Sequence, residues 1–222
     1  MAKQIGVILS GCGVYDGSEI HEAVITLLAI DRAGAEAVCM APNIEQMHVI
    51  NHLKGEPADG ETRNVLVESA RIARGNIKDL ADVTADSLDA LILPGGFGAA
   101  KNLCDFAVKG AACTVNPDVA RLVRDMVNAK KPVAAVCIAP TVLSRVLGDD
   151  KLPHELTIGN DQQTAEALTE MGSKHVACPV NNFVIDKANK LISSPAYMLA
   201  GSISEAAEGI EKTVNALIEL TD

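Results

Sequence analysis

Short apolar runs alternate with longer amphipathic stretches along most of this chain. Runs of this kind predict strands that are buried on both faces, and the amphipathic stretches predict helices that cover a sheet. The runs that predict strands are residues 5–9, 35–40, 88–93, 132–136, 156–158 and 174–177. Residues 183–193 predict a hairpin, with its turn near Ala188 and Asn189.

The stretches that predict helices are residues 18–32, 63–74, 116–129, the segment after Cys137 to about Gly148, 164–171 and 204–219. In the first of them, Ser18 is expected to cap the helix. Its apolar stripe, expected to face the sheet, is Ile20, Val24, Leu27 and Leu28. Apart from the helix over 63–74, residues 41–76 lack a clear hydrophobic period, which predicts an irregular excursion at the edge of the sheet.

The repeated order of strand and helix predicts an α/β fold with a mainly parallel sheet and helices on both faces. We therefore expect a single domain over residues 1–222, built as a three-layer sandwich. In such sheets ligands bind beyond the carboxyl ends of the strands. Four loops meet that condition, and we expect them to converge: residues 10–18, 94–98, 137–140 and 159–163.

The overall composition is that of a globular protein: 222 residues, 48% hydrophobic and 22% charged. The net charge of −10 makes nucleic acid and anionic membranes poor partners. Aromatic residues make up only 2% and Trp is absent, so platforms for stacking bases are scarce. The first residues enter a strand directly and do not read as a signal or transit peptide, which predicts a cytoplasmic protein.

The six cysteines have irregular spacing and none forms a Cys-x-x-Cys pair. We expect free thiols in a reducing compartment and no metal site. Cys137 differs from the other five because it stands between a buried strand and the start of a helix. A thiol at such an elbow lies at the positive end of the helix, which favours the thiolate. The alternative is a small buried core residue.

Four further residues could belong to a site around Cys137. Gly95 and Gly96 follow a strand, and their backbone N–H groups, with that of Ile138, could hold an oxyanion. Glu22 could carry protons to and from Cys137 if burial raised its pKa. The alternative for Glu22 is a solvated acid that complements the helix dipole.

Two other features have weaker readings. Cys12, in a glycine-rich loop, is a possible second thiol of the same pocket, although it fits better as a small side chain that fills the loop. The glycines at 11, 13 and 17 resemble a dinucleotide loop, but Asp16 would stand where phosphates bind and strand two ends without an acid for a ribose. The sequence therefore predicts no cofactor.

Several stretches carry a resemblance to a known group of proteins. The chain resembles the PfpI and class I glutamine-amidotransferase-like superfamily, and within it most nearly the bacterial glyoxalases. The stretches are LSGCGVYDGSEIHEAV (9–24), ETRNVLVESARI (61–72), LDALILPGGFGAAKNL (88–103), CIAP (137–140), LTIGND (156–161) and PAYMLA (195–200). The resemblance implies a flavodoxin-like sandwich.

The resemblance also implies a glyoxalase that needs neither glutathione nor metal. Cys137 matches the elbow cysteine of the family, Glu22 its first-helix glutamate, and the backbone at Gly96 and Ile138 its oxyanion site. The implied reaction converts glyoxal or a similar small dicarbonyl to a hydroxy acid, through a hemithioacetal on the cysteine and an enediol. Members of the superfamily are often homodimers, and residues 41–76 are a candidate contact surface.

The chain departs from the family at positions that matter for chemistry. Amidotransferase-type members carry His directly after the cysteine, where this chain has Ile138, and other relatives carry His near Gly159. Neither His is present, which argues against glutaminase or protease activity and leaves the base for Cys137 unassigned. The other functional class that fits is a redox-sensing or regulatory protein with an oxidisable Cys137, acting on isoprenoid biosynthesis through a partner.

Overall fold

A computed structural model describes residues 2–221 of the chain. The helices and strands that the sequence predicts are present, with bounds that move by one or two residues. Short strands at 50–51, 56–57 and 78–79 and a short helix at 106–109 were not predicted. The strands are β1 (Gln4–Ile8), β2 (Glu36–Ala41), β3 (Ile50–Asn51), β4 (Glu56–Pro57), β5 (Lys78–Asp79), β6 (Ala90–Leu93), β7 (Val133–Val136), β8 (His154–Leu156), β9 (Ser173–His175), β10 (Val184–Asp186) and β11 (Leu191–Ser194).

The α-helices begin close to residues that can cap them. They are α1 (Ile20–Arg32), α2 (Val65–Ile72), α3 (Phe106–Lys109), α4 (Pro117–Asn128), α5 (Pro140–Asp149), α6 (Gln162–Glu170) and α7 (Ile203–Glu219). Asn116 caps α4 as expected, since its side chain accepts the N–H groups of residues 118 and 119. Asp161 and Ser202 cap α6 and α7 in the same manner.

The main sheet has seven strands within the described residues, in the order β10-β11-β7-β6-β1-β2-β5. Every neighbouring pair is parallel except the β10–β11 hairpin. One core lies under α4 and α5, and the other lies under α1 and α7. The expected three-layer α/β sandwich with a mainly parallel sheet is therefore confirmed.

The first helix differs from its prediction in cap and in orientation. Glu19, and not Ser18, accepts the capping hydrogen bond, because the Ser18 hydroxyl turns inward to the backbone N–H of Ser10. Three residues of the stripe expected to face the sheet point outward, since Ile20, Val24 and Leu28 are 40–47% exposed. The fourth, Leu27, is half-buried and packs against the core as expected. The buried residues of this helix are Glu22, Ala23, Ile25, Thr26, Ala29 and Ile30.

Two short pairs of strands lie outside the main sheet. β3 and β4 form a small hairpin in the excursion predicted to be irregular. β8 and β9 form a parallel pair beside the hairpin of β10 and β11, although the sequence pattern suggested two strands of the main sheet. The Asp16 side chain accepts the N–H of Ile50, which ties the excursion to the first loop.

Candidate active site

Cys137 occupies a strained elbow between β7 and α5. Its φ is +59°, a conformation that is costly for a residue with a side chain and is found where surrounding structure enforces it. The Cys137 N–H donates to the carbonyl of Ser194 on the neighbouring strand at 2.9 Å. Pro140 then begins α5. This is the strand–nucleophile–helix geometry that the sequence predicted.

Two backbone N–H groups point at the Cys137 sulfur, one from Gly96 and one from Ile138. Both residues were expected to form an oxyanion site for an oxygen on a substrate carbon bonded to this sulfur, and that role stays a prediction. Gly96 has φ +92°, and a Cβ there would run into the backbone of Glu19. Only glycine fits this position without strain.

Gly95 has a different task from the one expected. Its N–H donates to Oε2 of Glu22 at 3.0 Å, and its carbonyl accepts the N–H of Glu19. The N–H is therefore occupied by a carboxyl oxygen and is not directed at the oxyanion position. Gly95 holds the carboxyl in place beside Cys137.

Glu22 is completely buried, contrary to the reading of a solvated acid. Its Oε2 accepts the Gly95 N–H, its Oε1 accepts the N–H of Tyr197 at 3.1 Å, and the carboxyl hydrogen bonds to the Cys137 side chain. Two backbone donors, one on each oxygen, hold the carboxyl in place beside the Cys137 sulfur. The helix, the loop after β6 and the loop after β11 meet at this one side chain.

Burial raises the pKa of Glu22 from 4.5 to about 7. The charge of Glu19 also raises it, while the N–H groups of Tyr197 and Gly95 and the bond to Cys137 act in the opposite direction. At neutral pH the carboxyl is thus close to half protonated. A group in this state can both take up and release a proton.

Burial also raises the pKa of the Cys137 thiol well above its ordinary value, and the negative charge of Glu22 raises it further. The N–H groups of Gly96 and Ile138 lower it by less. The expectation that the elbow alone favours the thiolate is therefore wrong, because desolvation outweighs the helix terminus. A thiolate forms here when the thiol proton moves to Glu22, which removes the opposing charge.

The raised pKa of Glu22 predicts a pH dependence of stability. Because the folded-state pKa lies above the ordinary value, the folded protein binds more protons than the unfolded chain between pH 4.5 and 7. The stabilisation is full below about pH 4.5 and lost as pH rises through about 7, a change of about 3 kcal/mol. Urea unfolding of the wild type and Glu22→Gln should diverge by this amount; parallel pH curves would refute the buried acid.

Gly95→Ala should damage the site sterically. A Cβ at this position would collide with Cys137 and lie 2.7 Å from Oε2 of Glu22. We expect a loss of about 1–3 kcal/mol in the free energy of unfolding, with the two reactive groups pushed apart. Gly201→Ala is the matched control, because a Cβ there meets nothing closer than 3.6 Å. Equal unfolding curves for the two variants would contradict this packing.

A cavity of about 720 Å³ opens above Cys137. Its walls are largely apolar, with Phe97, Phe106, Val108 and Met198 among them. The polar side chains in the lining are Glu19, Asp161, Gln163, Thr164 and Tyr197. Loops 10–18, 94–98, 137–140 and 159–163 each contribute to it, as expected from the parallel sheet. A small electrophile can therefore reach the sulfur in a largely apolar surrounding.

The sequence interpretation missed two residues that line this cavity, Tyr197 and Glu19. Tyr197 lines it, and its hydroxyl lies 2.9 Å from Nδ1 of His21. Glu19 lines it as well, with Oε1 3.8 Å from the same His21 nitrogen. His21 itself is not among the described residues that line the cavity. The signal that could have found Tyr197 is its place after a strand that ends at the same edge of the sheet.

Cys12 does not join Cys137. The Gly11 N–H donates to the Ser69 hydroxyl, and the loop carries Cys12 toward α2, away from the cavity lining. Burial and the charge of Glu68 raise the pKa of its thiol. Within residues 2–221, no group of three or more His, Cys, Asp or Glu side chains could hold a metal. No described helix is long and apolar enough to cross a bilayer.

Comparison with protein families gives one clear match. A model of the DJ-1/PfpI family matches residues 12–194. The chain is 46% identical over 229 residues to a human protein named glutamine amidotransferase-like class 1 domain-containing protein 3, mitochondrial, covering 99% of this chain and 84% of that protein. It is 45% identical to a rat protein named ES1 protein homolog, mitochondrial, covering 98% and 84%.

Solved structures of similar proteins agree with the fold. A crystal structure from Ehrlichia chaffeensis, described as an isoprenoid biosynthesis protein with an amidotransferase-like domain, superposes with a TM-score of 0.92 at 39% identity over 100% of both chains. Drosophila melanogaster DJ-1beta superposes with a TM-score of 0.57 at 22% identity, over 99% of this chain and 96% of that chain. The second likeness concerns the fold alone.

Proposed function

The chain belongs to the DJ-1/PfpI family, and from that premise we propose that it is a glyoxalase that converts glyoxal to glycolate without cofactor, metal or glutathione. The observation that carries the proposal is the pair of buried reactive groups at the base of the cavity. A thiol and a carboxyl with pKa about 7 share a hydrogen bond there. A proton acceptor beside a nucleophile is what the isomerisation of a dicarbonyl needs.

The reaction begins at the first carbonyl carbon of glyoxal. The Cys137 proton moves to Glu22, the thiolate forms a C–S bond, and the carbonyl electron pair moves to oxygen. The N–H groups of Gly96 and Ile138 are placed to hold that oxygen. The proton on Glu22 then passes to the oxygen and gives a neutral hemithioacetal.

The next steps move hydrogen from the first carbon to the second. The Glu22 carboxylate takes the C–H proton of the hemithioacetal, which gives an enediol, and returns it to the second carbon. One carbon is oxidised and the other reduced, so no external oxidant or reductant is required. The product is a thioester of glycolate, and water hydrolyses it to release glycolate and the Cys137 thiol.

Two other activities receive less support from the site. Glutamine hydrolysis by a Cys–His pair lacks its base, since no histidine is among the described residues that line the cavity. A peroxide-sensing role requires an accessible thiolate, whereas burial raises the pKa of Cys137 well above its ordinary value. A regulatory role in isoprenoid biosynthesis stays the alternative hypothesis, and only the name of the Ehrlichia protein points to it.

Assembly and location remain predictions. A homodimer would offer a partner for the exposed stripe of Ile20, Val24 and Leu28 on α1, an apolar surface of the kind that marks interfaces. The cytoplasm is the location expected from the sequence, whereas the human and rat relatives are named as mitochondrial.

The test of the function is product formation from glyoxal by the purified protein. The assay contains a chelator and no glutathione, and proton NMR follows glyoxal and glycolate together. We expect one glycolate for each glyoxal consumed. Glycolate at the rate of the protein-free control, or only after glutathione is added, would refute the proposal.

A further inference from the structure

Tyr197 is brought to the reactive centre by the same sheet that positions Cys137. Strand β11 pairs in parallel with β7, with Ser194 opposite Val136, so the segments after both strands emerge at one edge. Tyr197 follows β11 in a single turn of 3₁₀ helix, Ala196–Met198. Its backbone N–H donates to Glu22, and the residue lines the cavity above Cys137.

The Tyr197 hydroxyl is in hydrogen-bond contact with the ring of His21. Nδ1 of His21 lies 2.9 Å away, and Oε1 of Glu19 lies 3.8 Å from that nitrogen. The other Glu19 oxygen accepts the N–H of Glu22 at 2.7 Å, which fixes the acid. The side chain of His21 is 48% exposed, so this chain of groups runs from the cavity to solvent.

The proposed reaction leaves one proton unassigned. When Glu22 removes hydrogen from the first carbon, the oxygen on the second carbon must gain a proton to become the hydroxyl of the enediol. Glu22 is occupied with the carbon-bound hydrogen, and the N–H groups of Gly96 and Ile138 serve the first oxygen. Another donor is needed on the far side of the substrate.

We propose that Tyr197 is a third catalytic residue beside Cys137 and Glu22, which protonates the oxygen on the second carbon and is resupplied by His21; this rests on the glyoxalase function proposed above. The O–H of Tyr197 goes to the substrate, and Nδ1–H of His21 goes to Tyr197. The hydroxyl proton on the first carbon leaves as the thioester forms and restores the proton taken from His21.

The protonation state of the Tyr197 phenol suits a proton donor. Burial, together with the charges of Glu19 and Glu22, raises the pKa of its phenol. The hydroxyl therefore stays protonated at neutral pH and gives up its hydrogen only as another arrives from His21.

Tyr197→Phe is the variant that tests this role. It keeps the backbone N–H that holds Glu22 and removes only the hydroxyl, so folding and Cys137 alkylation should be unchanged. We expect kcat for glyoxal to fall about 100-fold. Tyr15→Phe is the matched control: Tyr15 also contacts a histidine, His52, but lies outside the cavity lining, and its variant should turn over normally. Equal kcat values for both variants would overturn the proposal.

His21 is tested as a positioning residue through its effect on Tyr197. His21→Ala should lower kcat about 10-fold and change its pH profile, and His21→Asn, whose amide can hydrogen bond to the hydroxyl but cannot give up a proton, should be as slow as His21→Ala. A wild-type rate in His21→Asn would contradict resupply through Nδ1.

A second readout separates this inference from the proposed function. Glyoxal bound at Cys137 should slow alkylation by iodoacetamide, and Tyr197→Phe should weaken that protection about 10-fold even without turnover, because one hydrogen bond to the substrate is lost. Protection that depends on Tyr197 in an inactive wild type would support the tyrosine contact and refute the glyoxalase. Turnover that is unchanged in Tyr197→Phe would support the glyoxalase and refute the tyrosine contact. A wild type that shows no protection and no turnover would refute both proposals.

Discussion

Cys137→Ala should lose glyoxalase activity, with kcat/KM reduced by at least about 10³-fold. Among the described residues that line the cavity, Cys137 is the one that carries a thiol, and every later step of the proposed reaction acts on the carbon attached to its sulfur. The substitution removes one buried sulfur and leaves the carboxyl of Glu22 with its two backbone donors. Folding should therefore persist, which far-ultraviolet circular dichroism can verify beside the rate of glycolate formation.

The matched control for this change is Cys12→Ala. Cys12 is a thiol at the end of another strand of the sheet, yet it faces α2 and does not line the cavity. Its removal should leave kcat/KM within about twofold of the wild type, well inside the loss expected for a nucleophile. Comparable losses of kcat/KM in both variants would mean that each substitution disturbs the fold, and would contradict a chemical role for Cys137.

Glu22→Gln should reduce kcat by about 10² to 10⁴-fold, because an amide cannot carry hydrogen between the two carbons. The amide has one acceptor oxygen, whereas Gly95 and Tyr197 each donate to a different oxygen of the acid. One backbone N–H is therefore left facing an amide nitrogen. Alkylation of Cys137 should remain possible, so the variant separates proton transfer from the presence of the nucleophile.

Two further variants serve as comparisons for the rate of Glu22→Gln. Glu22→Asp keeps a titratable group but withdraws it from both donors, and we expect a residual rate between those of Gln and the wild type. Glu68→Gln removes a buried carboxyl that pairs with Arg71 outside the cavity. It should lower stability and leave turnover intact. Turnover of Glu22→Gln at the wild-type rate would end the proton-shuttle role.

The sheet and the elbow were predictable because both depend on local order in the chain. Short apolar runs can be buried on both faces only as central strands, and helices between them force parallel pairing. Cys137 stands between such a run and Pro140, which favours the first turn of a helix. The convergence of four loops at the cavity follows from that topology.

The environment of Glu22 was not predictable from the sequence pattern. Hydrophobicity assigns the apolar stripe of α1 to the core, yet three residues of that stripe are exposed and the acid is inside. What makes its burial tolerable are N–H donors 73 and 175 residues away in the chain, from Gly95 and Tyr197. The hydrophobic periodicity of a segment does not reveal such distant partners, because these hydrogen bonds to the backbone form only in the assembled sheet.

Tyr197 escaped attention for a related reason. Its strand was predicted as half of a hairpin, and a hairpin by itself does not show which end meets the carboxyl edge of the sheet. Only the parallel pairing of β11 with β7 brings the segment after Ser194 to Cys137. The state of the thiol was misjudged because helix position is visible in sequence, whereas desolvation is not.

Native mass spectrometry of the protein at saturating glyoxal tests the central claim most directly, since it reports covalent chemistry at one sulfur. Hemithioacetal and thioester have the same mass, so either adds one glyoxal to the protein. The account predicts this adduct in the wild type and in Glu22→Gln, and its absence in Cys137→Ala. An adduct of equal occupancy in Cys137→Ala, or glycolate formation by a wild type that carries none, would contradict it.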